Sequence, residues 1–203
     1  MVDFRNMDCM ELMKEFPDNH FDLAIVDPPY GIGEKFKGGK SGKMNFNKIV
    51  EKGWDSAPSE EYFSELQRVS ENQIIWGGNY FALPPSRCFI IWDKLISFDF
   101  SLAMCEMAWT SFDKNAKIFQ LPVPKTGKIH DCQKPVRLYT WLLANYAKAG
   151  DKILDTHVGS ASSLIACHQL GFDVVGCELD EEYYQLASQR LADEMAQMSL
   201  FNQ

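Results

Sequence analysis

Strands alternating with helices along this 203-residue chain predict an α/β fold with a mostly parallel central sheet and an antiparallel edge hairpin. Three observations carry that prediction. Apolar, β-type runs recur at 22–26, 73–76, 88–92, 103–110, 152–155 and 173–177. Helical patterns fall between or around them at 8–16, 59–70, 135–148, 160–170 and 181–198. The stretch 88–120 has strand character without a helical pattern, which predicts the hairpin at one edge.

In chain order, a short helix at 8–16 precedes the apolar run Leu23-Ala24-Ile25-Val26, a buried strand ended by Asp27-Pro28-Pro29-Tyr30. A helix at 59–70 then leads to the strand at 73–76, as a crossover between parallel strands requires. After the edge strands, the helix at 135–148 precedes the strand Lys152 to Asp155. A Gly/Ser turn and an apolar helix through His168 connect it to Val174-Val175-Gly176-Cys177-Glu178. The spacing of Tyr184, Ala187, Leu191 and Met195 gives the last helix a face to lay on the sheet.

Length and composition fit one domain, residues 1–203: hydrophobic residues make up 46% and charged residues 24%. No apolar run approaches the roughly 20 residues of a membrane helix. The N-terminus, MVDFRNMDCM, lacks the basic-then-apolar pattern of a secretory signal, so a cytoplasmic location is expected. The six cysteines form no CxxC pair and are expected to be reduced core thiols. His130 and Cys132 have no second pair at zinc-like spacing, so no metal site is expected.

The formal charge of −8 is unevenly spread. Residues 34–52 hold Lys35, Lys37, Lys40, Lys43, Lys48 and Lys52 against two glutamates, a local +4. Residues 113–137 are also +4. Screening limits electrostatic reach to about 8–10 Å, so phosphate attraction follows local clusters and not the global sum. The 31–58 segment is basic and Gly-rich, and the 95–129 segment lies at the edge strands. Both are candidate nucleic-acid contact elements, with Lys35, Lys37, Lys40 and Lys43 the candidate phosphate ligands.

Asp27-Pro28-Pro29-Tyr30 is the first site-like segment. Proline cannot donate to a sheet ladder, so the strand ends there and its carbonyls stay available as acceptors. A bland strand-ending turn explains the prolines, but not the acid and the aromatic beside them. Asp27 and the Pro28 carbonyl suit the amine of an exposed nucleobase, and Tyr30 offers a face on which the ring can stack.

The second is Asp155-Thr156-His157-Val158-Gly159-Ser160-Ala161-Ser162-Ser163. A strand, a Gly/Ser turn and a helix start place backbone N–H groups against a ligand at the carboxyl edge of the sheet. Glu178 ends the next strand about 20 residues on, the spacing at which an acid grips ribose hydroxyls. The glycine pattern is not GxGxxG, which argues against a nicotinamide cofactor. Asp155, His157, Gly159, Ser160, Ser162 and Glu178 are the candidate binding residues.

With these blocks in this order, the chain resembles S-adenosylmethionine-dependent DNA amino-methyltransferases of the permuted β class, in which the DPPY block precedes the cofactor block. Asn6-Met7-Asp8-Cys9 resembles the family segment that sets an acid, here Asp8, near the cofactor's adenine. Trp76 to Phe81 and Ile90 to Lys94 resemble its later strand motifs. His130-Asp131-Cys132-Gln133-Lys134-Pro135 resembles the HPTQKP-like lead-in to the helix closing over the methionine end, which makes Lys134 a cofactor candidate. Gly176 to Asp180, Tyr183 or Tyr184, and Arg190 resemble its GxExD…Y…R tail. The resemblance implies a Rossmann-like methyltransferase fold, S-adenosylmethionine as methyl donor, no metal, and double-stranded DNA as substrate.

The chain departs from the family at His157, where Phe is usual, at Ala161, where Gly is usual, and at Asp131-Cys132 in place of Pro-Thr. The family likeness assigns catalysis to Asp27, Pro28, Pro29 and Tyr30. Asp27 as first residue favours adenine N6 over cytosine N4, where Ser is more frequent. An RNA or protein-amide methyltransferase and a non-catalytic DNA-binding subunit are the rival readings. No cysteine follows a proline, so attack at cytosine carbon 5 is not expected. Gln197-Met198-Ser199-Leu200-Phe201 resembles peptides that dock on the bacterial sliding clamp, a partner suited to a solitary or phage-type enzyme. The small reading surface also makes a homodimer an expectation.

Overall fold

The computed structural model describes residues 1–32, 56–96, 103–123, 129 and 132–201. Along the chain run β1 (Val2–Asn6), α1 (Cys9–Lys14), β2 (Phe21–Val26), α2 (Glu60–Val69), β3 (Ser70–Trp76), a single 3-10 turn (Gly78–Tyr80) and β4 (Phe89–Asp93). There follow β5 (Cys105–Thr110), β6 (Lys117–Gln120), α3 (Val136–Tyr146), β7 (Lys152–Asp155), α4 (Ser162–Leu170), β8 (Asp173–Glu178) and α5 (Glu181–Phe201). The eight strands form one sheet in the order β1-β8-β7-β2-β3-β5-β4-β6.

Period-two alternation splits the buried strands between two layers. In β2, Leu23 and Ile25 face a core built with Leu138, Leu142, Leu164, Ile165 and Leu191 of α3, α4 and α5. Ala24 and Val26 face the other core, with Leu12 and Met13 of α1 and Tyr62, Leu66 and Val69 of α2. Burying each large aliphatic chain stabilises by about 1.5–3 kcal/mol. A strand apolar on both faces therefore has no stable place except the middle of the sheet.

β1, β8, β7, β2 and β3 are mutually parallel. The antiparallel strand is β5, which lies between β3 and β4. This refines the expected edge hairpin: β4 and β5 do pair antiparallel, but the outermost strand is β6, parallel to β4. Residues 117–120 are mostly exposed and only four long, so neither alternation nor a buried run announces them. β1 is missed for a related reason, since Val2 and Phe4 are its only large apolar residues. None of the six cysteines is in a disulfide, and Cys105 and Cys132 are exposed, not in the core as expected.

From β2 the chain crosses through α2 to β3 on one side, and from β7 through α4 to β8 on the other. The two crossover helices pack on opposite faces of the sheet. The order therefore reverses between β2 and β7, and a crevice opens beyond their carboxyl ends, where open α/β sheets bind ligands.

Candidate active site

Asp27 directly follows β2, and Asp155 is the last residue of β7. The two segments singled out in the sequence, more than a hundred residues apart, thus flank the same crevice. The expected DNA ligands Lys35, Lys37, Lys40 and Lys43, along with His130 and Asp131, lie outside the described residues.

At the Asp27 turn, the Tyr30 hydroxyl donates to Asp27 Oδ1 at 2.8 Å. Lys134 Nζ donates to Asp27 Oδ2 at 2.5 Å and to Glu106 Oε2 at 2.9 Å, and Lys94 Nζ meets Glu106 Oε1 at 2.6 Å. The Lys134 side chain is only 3% exposed and lies over the Trp76 ring, 5.2 Å from its centroid. An ammonium buried this deeply is tolerated only when carboxylates compensate it. Burial pulls its pKa down, but Asp27 and Glu106 outweigh burial and hold it above the ordinary lysine value. Burial likewise pushes Glu106 up, while Lys134 and Lys94 bring it down to about 2. Tyr30 is raised well above its ordinary value by burial and the neighbouring carboxylates, so its phenol stays protonated and remains a donor.

The aromatic wall is set by a glycine. Gly77 is left-handed, with φ of 70°, and a Cβ there would stand 2.2 Å from the Tyr30 ring. Tyr30 can seat itself only because that side chain is missing. Tyr80, from the turn that follows, stacks on Tyr30 at 5.1 Å and 19°, and Phe81 meets Tyr30 edge-on at 6.2 Å.

At the second segment, Asp155 is 2% exposed and accepts from the His157 N–H at 3.0 Å and from the Ser163 hydroxyl. Glu178 accepts from the Gly159 N–H at 2.9 Å and the Asp180 N–H at 3.0 Å. Asp8 caps α1, its Oδ1 accepting from the backbone N–H groups of Met10 and Glu11. Because β1 pairs with β8, Asn6 opposite Glu178, the Asp8 and Glu178 loops emerge side by side next to the Gly/Ser loop. Ser160 and Ser162 are buried, bonded to each other at 3.2 Å, and held by Arg190, which bonds the Ser160 carbonyl and the Ser162 hydroxyl. They brace the loop against α5.

His157, the departure from Phe, has an electronic consequence. Tyr62 Oη lies 2.7 Å from Thr156 Oγ1, which lies 2.9 Å from His157 Nδ1. Burial lowers the imidazole to about 4, so it is neutral near pH 7. Giving every buried hydroxyl hydrogen an acceptor orders the chain one way. Tyr62 donates to Thr156, Thr156 donates to Nδ1, and the proton sits on Nε2. His157 is thereby a neutral donor within electrostatic reach of Asp8, and with the acceptors Asp8 and Glu178 on neighbouring loops it makes a set that fits a nucleoside carrying hydroxyls and an aminopurine. The departure at Ala161 carries a small net cost. Ala161 adopts φ of 61° and is fully buried. Left-handed backbone costs a non-glycine residue about 1–2 kcal/mol, while burying its methyl returns roughly 0.8 kcal/mol.

Every sequence-predicted site residue within the described part lies on one of these loops, with one change of neighbourhood. Lys134, expected on the cofactor side, contacts the Asp27 turn. Sequence reading missed Glu106 as a site residue. Its signal was an acid inside the apolar strand Cys105–Thr110, which has no reason to hold a charge unless a cation is buried opposite.

The profile of the N6/N4 DNA methylase family matches residues 75–189. The type II methyltransferase M.HpaI of Haemophilus parainfluenzae is 24% identical, over 92% of this chain and 73% of its own length. Type II methyltransferase M2.MboI of Moraxella bovis is 26% identical, over 90% of this chain and 84% of its own. Among solved structures, the M1.HpyAVI–SAM complex superposes with a TM-score of 0.65 at 20% identity, covering 94% of this chain and all 100% of that one. The cytosine-N4-specific PvuII DNA methyltransferase superposes with a TM-score of 0.63 at 11% identity, covering 95% and 90%.

The Asp155 environment makes a stability prediction. Burial, followed by repulsion from Asp27 and Glu178, pushes this carboxyl up to about 7 against the bonds from Ser163 and His157. A folded-state pKa above the unfolded one means that the native state holds the extra proton between pH 4 and 7, so stability falls as pH rises through that window. The limit is of order 4 kcal/mol. Thermal melts of Asp155→Asn, which cannot ionise, should gain on wild type from pH 4 to pH 7 and level off above. Parallel curves for the two proteins would show that Asp155 does not titrate in this range.

Proposed function

This chain belongs to the N6/N4 DNA methylase family, DNA methyltransferases that draw their methyl group from S-adenosylmethionine, and from that premise we propose that it methylates the N6 amine of an adenine turned out of double-stranded DNA at a specific sequence. The observation that carries the reading is Asp27, an acceptor-only carboxylate facing the crevice between β2 and β7, with Tyr30 beside it and the Asp155–Ser163 loop opposite.

S-adenosylmethionine supplies an electrophilic methyl on a sulfonium. The protein's task is to make a poor nucleophile ready. An exocyclic amine is delocalised into its ring. Hydrogen bonds from its two N–H groups to Asp27 and the Pro28 carbonyl favour a pyramidal nitrogen whose lone pair is free to attack. Holding the two reactants on adjacent strand ends supplies proximity. The Asp27 charge steadies the positive charge that develops on nitrogen. Asp8, His157, Gly159 and Glu178 line the nucleoside end, Ser160 and Ser162 shape the loop, and Asp155 anchors it.

The fold serves both chemistries, since the PvuII enzyme is cytosine-N4-specific by its own description. The preference for adenine therefore rests on Asp27 in the first motif position. Sequencing single DNA molecules from a methylation-free bacterial host that expresses this chain tests it directly. Modified adenines within one motif are expected. Modified cytosine N4 would overturn the base assignment, and transfer only to RNA or protein would overturn the substrate. Asp27→Ala should abolish methyl transfer while S-adenosylmethionine still binds, as calorimetry would show. Equal loss of both would remove Asp27 from its catalytic role.

DNA contact is assigned to the basic segment 31–58. Replacing Lys35, Lys37, Lys40 and Lys43 together with Ala should weaken binding across all sequences and make the log–log salt dependence shallower by roughly 3–4, about 0.9 for each phosphate no longer neutralised. An unchanged slope would place the phosphate ligands elsewhere. Gln197 is exposed on α5, whose last five residues, 197–201, are the clamp-like peptide. On this assignment Phe201→Ala should no longer bind purified sliding clamp in a surface-plasmon assay, and binding equal to wild type would end it. A homodimer, which would widen the reading surface, would appear as twice the monomer mass in light scattering.

A further inference from the structure

Both Asp27 oxygens are engaged by the protein itself, Oδ1 by the Tyr30 hydroxyl and Oδ2 by Lys134. Tyr30 is neutral and helps aim the carboxylate. Lys134 fixes its orientation too, but brings a full positive charge to the group meant to stabilise a developing positive charge. A lone ammonium there would cancel Asp27 and repel the reacting nitrogen. It is not alone: Glu106 Oε2 stands 2.9 Å from Lys134 Nζ, and Lys94 balances Glu106 Oε1 at 2.6 Å. The quartet of Asp27, Lys134, Glu106 and Lys94 is neutral overall, with the two cations placed on either side of Glu106.

We propose that Glu106 is a positioning residue for methyl transfer: it shares the Lys134 ammonium, so that Lys134 orients Asp27 without consuming the negative charge that the amine needs. This rests on the methyltransferase reading above. Two features single out Glu106 from an ordinary structural acid. Its strand, β5, runs antiparallel to β3 and β4, so Glu106 enters the site from an element unrelated to either ligand loop. It also lies 3.3 Å from the Tyr30 hydroxyl, so it touches both groups that hold Asp27. When the Asp27 oxygens turn to the amine, Glu106 is the carboxylate onto which Lys134 can lean. Without it, the only carboxylate that contacts Lys134 among the described residues is Asp27.

The test compares wild type, Glu106→Gln and Glu106→Asp as full chains. With tritiated S-adenosylmethionine and DNA carrying the target site, Glu106→Gln should lower kcat by on the order of tenfold or more and leave cofactor binding by calorimetry within about twofold. Glu106→Asp keeps the charge and should recover most of the rate. If Glu106→Gln turns over like wild type, or Glu106→Asp is as slow as Glu106→Gln, the charge-sharing role falls while the enzyme's function stands. A second readout needs no DNA. In 15N spectra at neutral pH the Lys134 ammonium should shift and exchange its protons faster in Glu106→Gln, but not in Glu106→Asp. If wild type fails to methylate DNA, the functional reading falls and this spectrum alone decides on Glu106. A Lys134 signal untouched by Glu106→Gln overturns the proposal in either case.

Discussion

The parallel pairing of β2 with β7, through Leu23 to Ile153 and Ala24 to Leu154, joins segments about 130 residues apart, and the site exists only because of it. Neither the Asp27 turn nor the Gly/Ser loop has any local reason to lie near the other. The pairing holds because β2 is apolar on both faces and must be covered by both helical layers. That requirement fixes β2 at the centre, and the reversal of strand order beside it opens the crevice. The chemistry of the site is thus anchored in an aliphatic ladder that touches no ligand.

Within that frame, charge is handled in two opposite ways. Around Asp27, the protein buries ions and satisfies them with one another, which keeps Lys134 and Glu106 ionised. Around Asp155 it buries an acid with only neutral donors, which favours the protonated form. The two carboxyls sit on adjacent strand ends, yet one neighbourhood is built from salt bridges and the other from hydroxyl and amide hydrogen bonds. Perturbed groups of this kind cluster at functional sites.

Much of the fold was legible because its signals are local. Double-sided apolar runs such as Leu23 to Val26, the proline stop at Pro28, and the helical spacing of Ala187 and Leu191 each follow from nearest-neighbour chemistry. The positions of Asp27, Asp155 and Glu178, at or just past the ends of apolar strands, were readable for the same reason. β1 and β6 were not, because short edge strands bury too little to leave a pattern. The neighbours of Lys134 were not readable either. Its partner Glu106 arrives from a strand whose place between β3 and β4 is a matter of topology, and no spacing rule connects positions 106 and 134. The partners of Ser160 and Ser162 were hidden for the same reason: the two hydroxyls meet each other, and Arg190 from α5 bonds the Ser160 carbonyl and the Ser162 hydroxyl.

The stacking of Tyr80 on Tyr30 bears on selectivity. The face of Tyr30 that the proposed function gives to a nucleobase already carries the Tyr80 ring. A base that takes that place trades one aromatic stack for another of similar strength, about 0.5–1.5 kcal/mol beyond area burial, so flatness alone gains little. What an entering base adds is its amine, meeting Asp27 and the Pro28 carbonyl. On the proposed function, planar molecules without an amine gain nothing from displacing Tyr80, and the pocket would disfavour them by competition from its own side chain, without a steric gate.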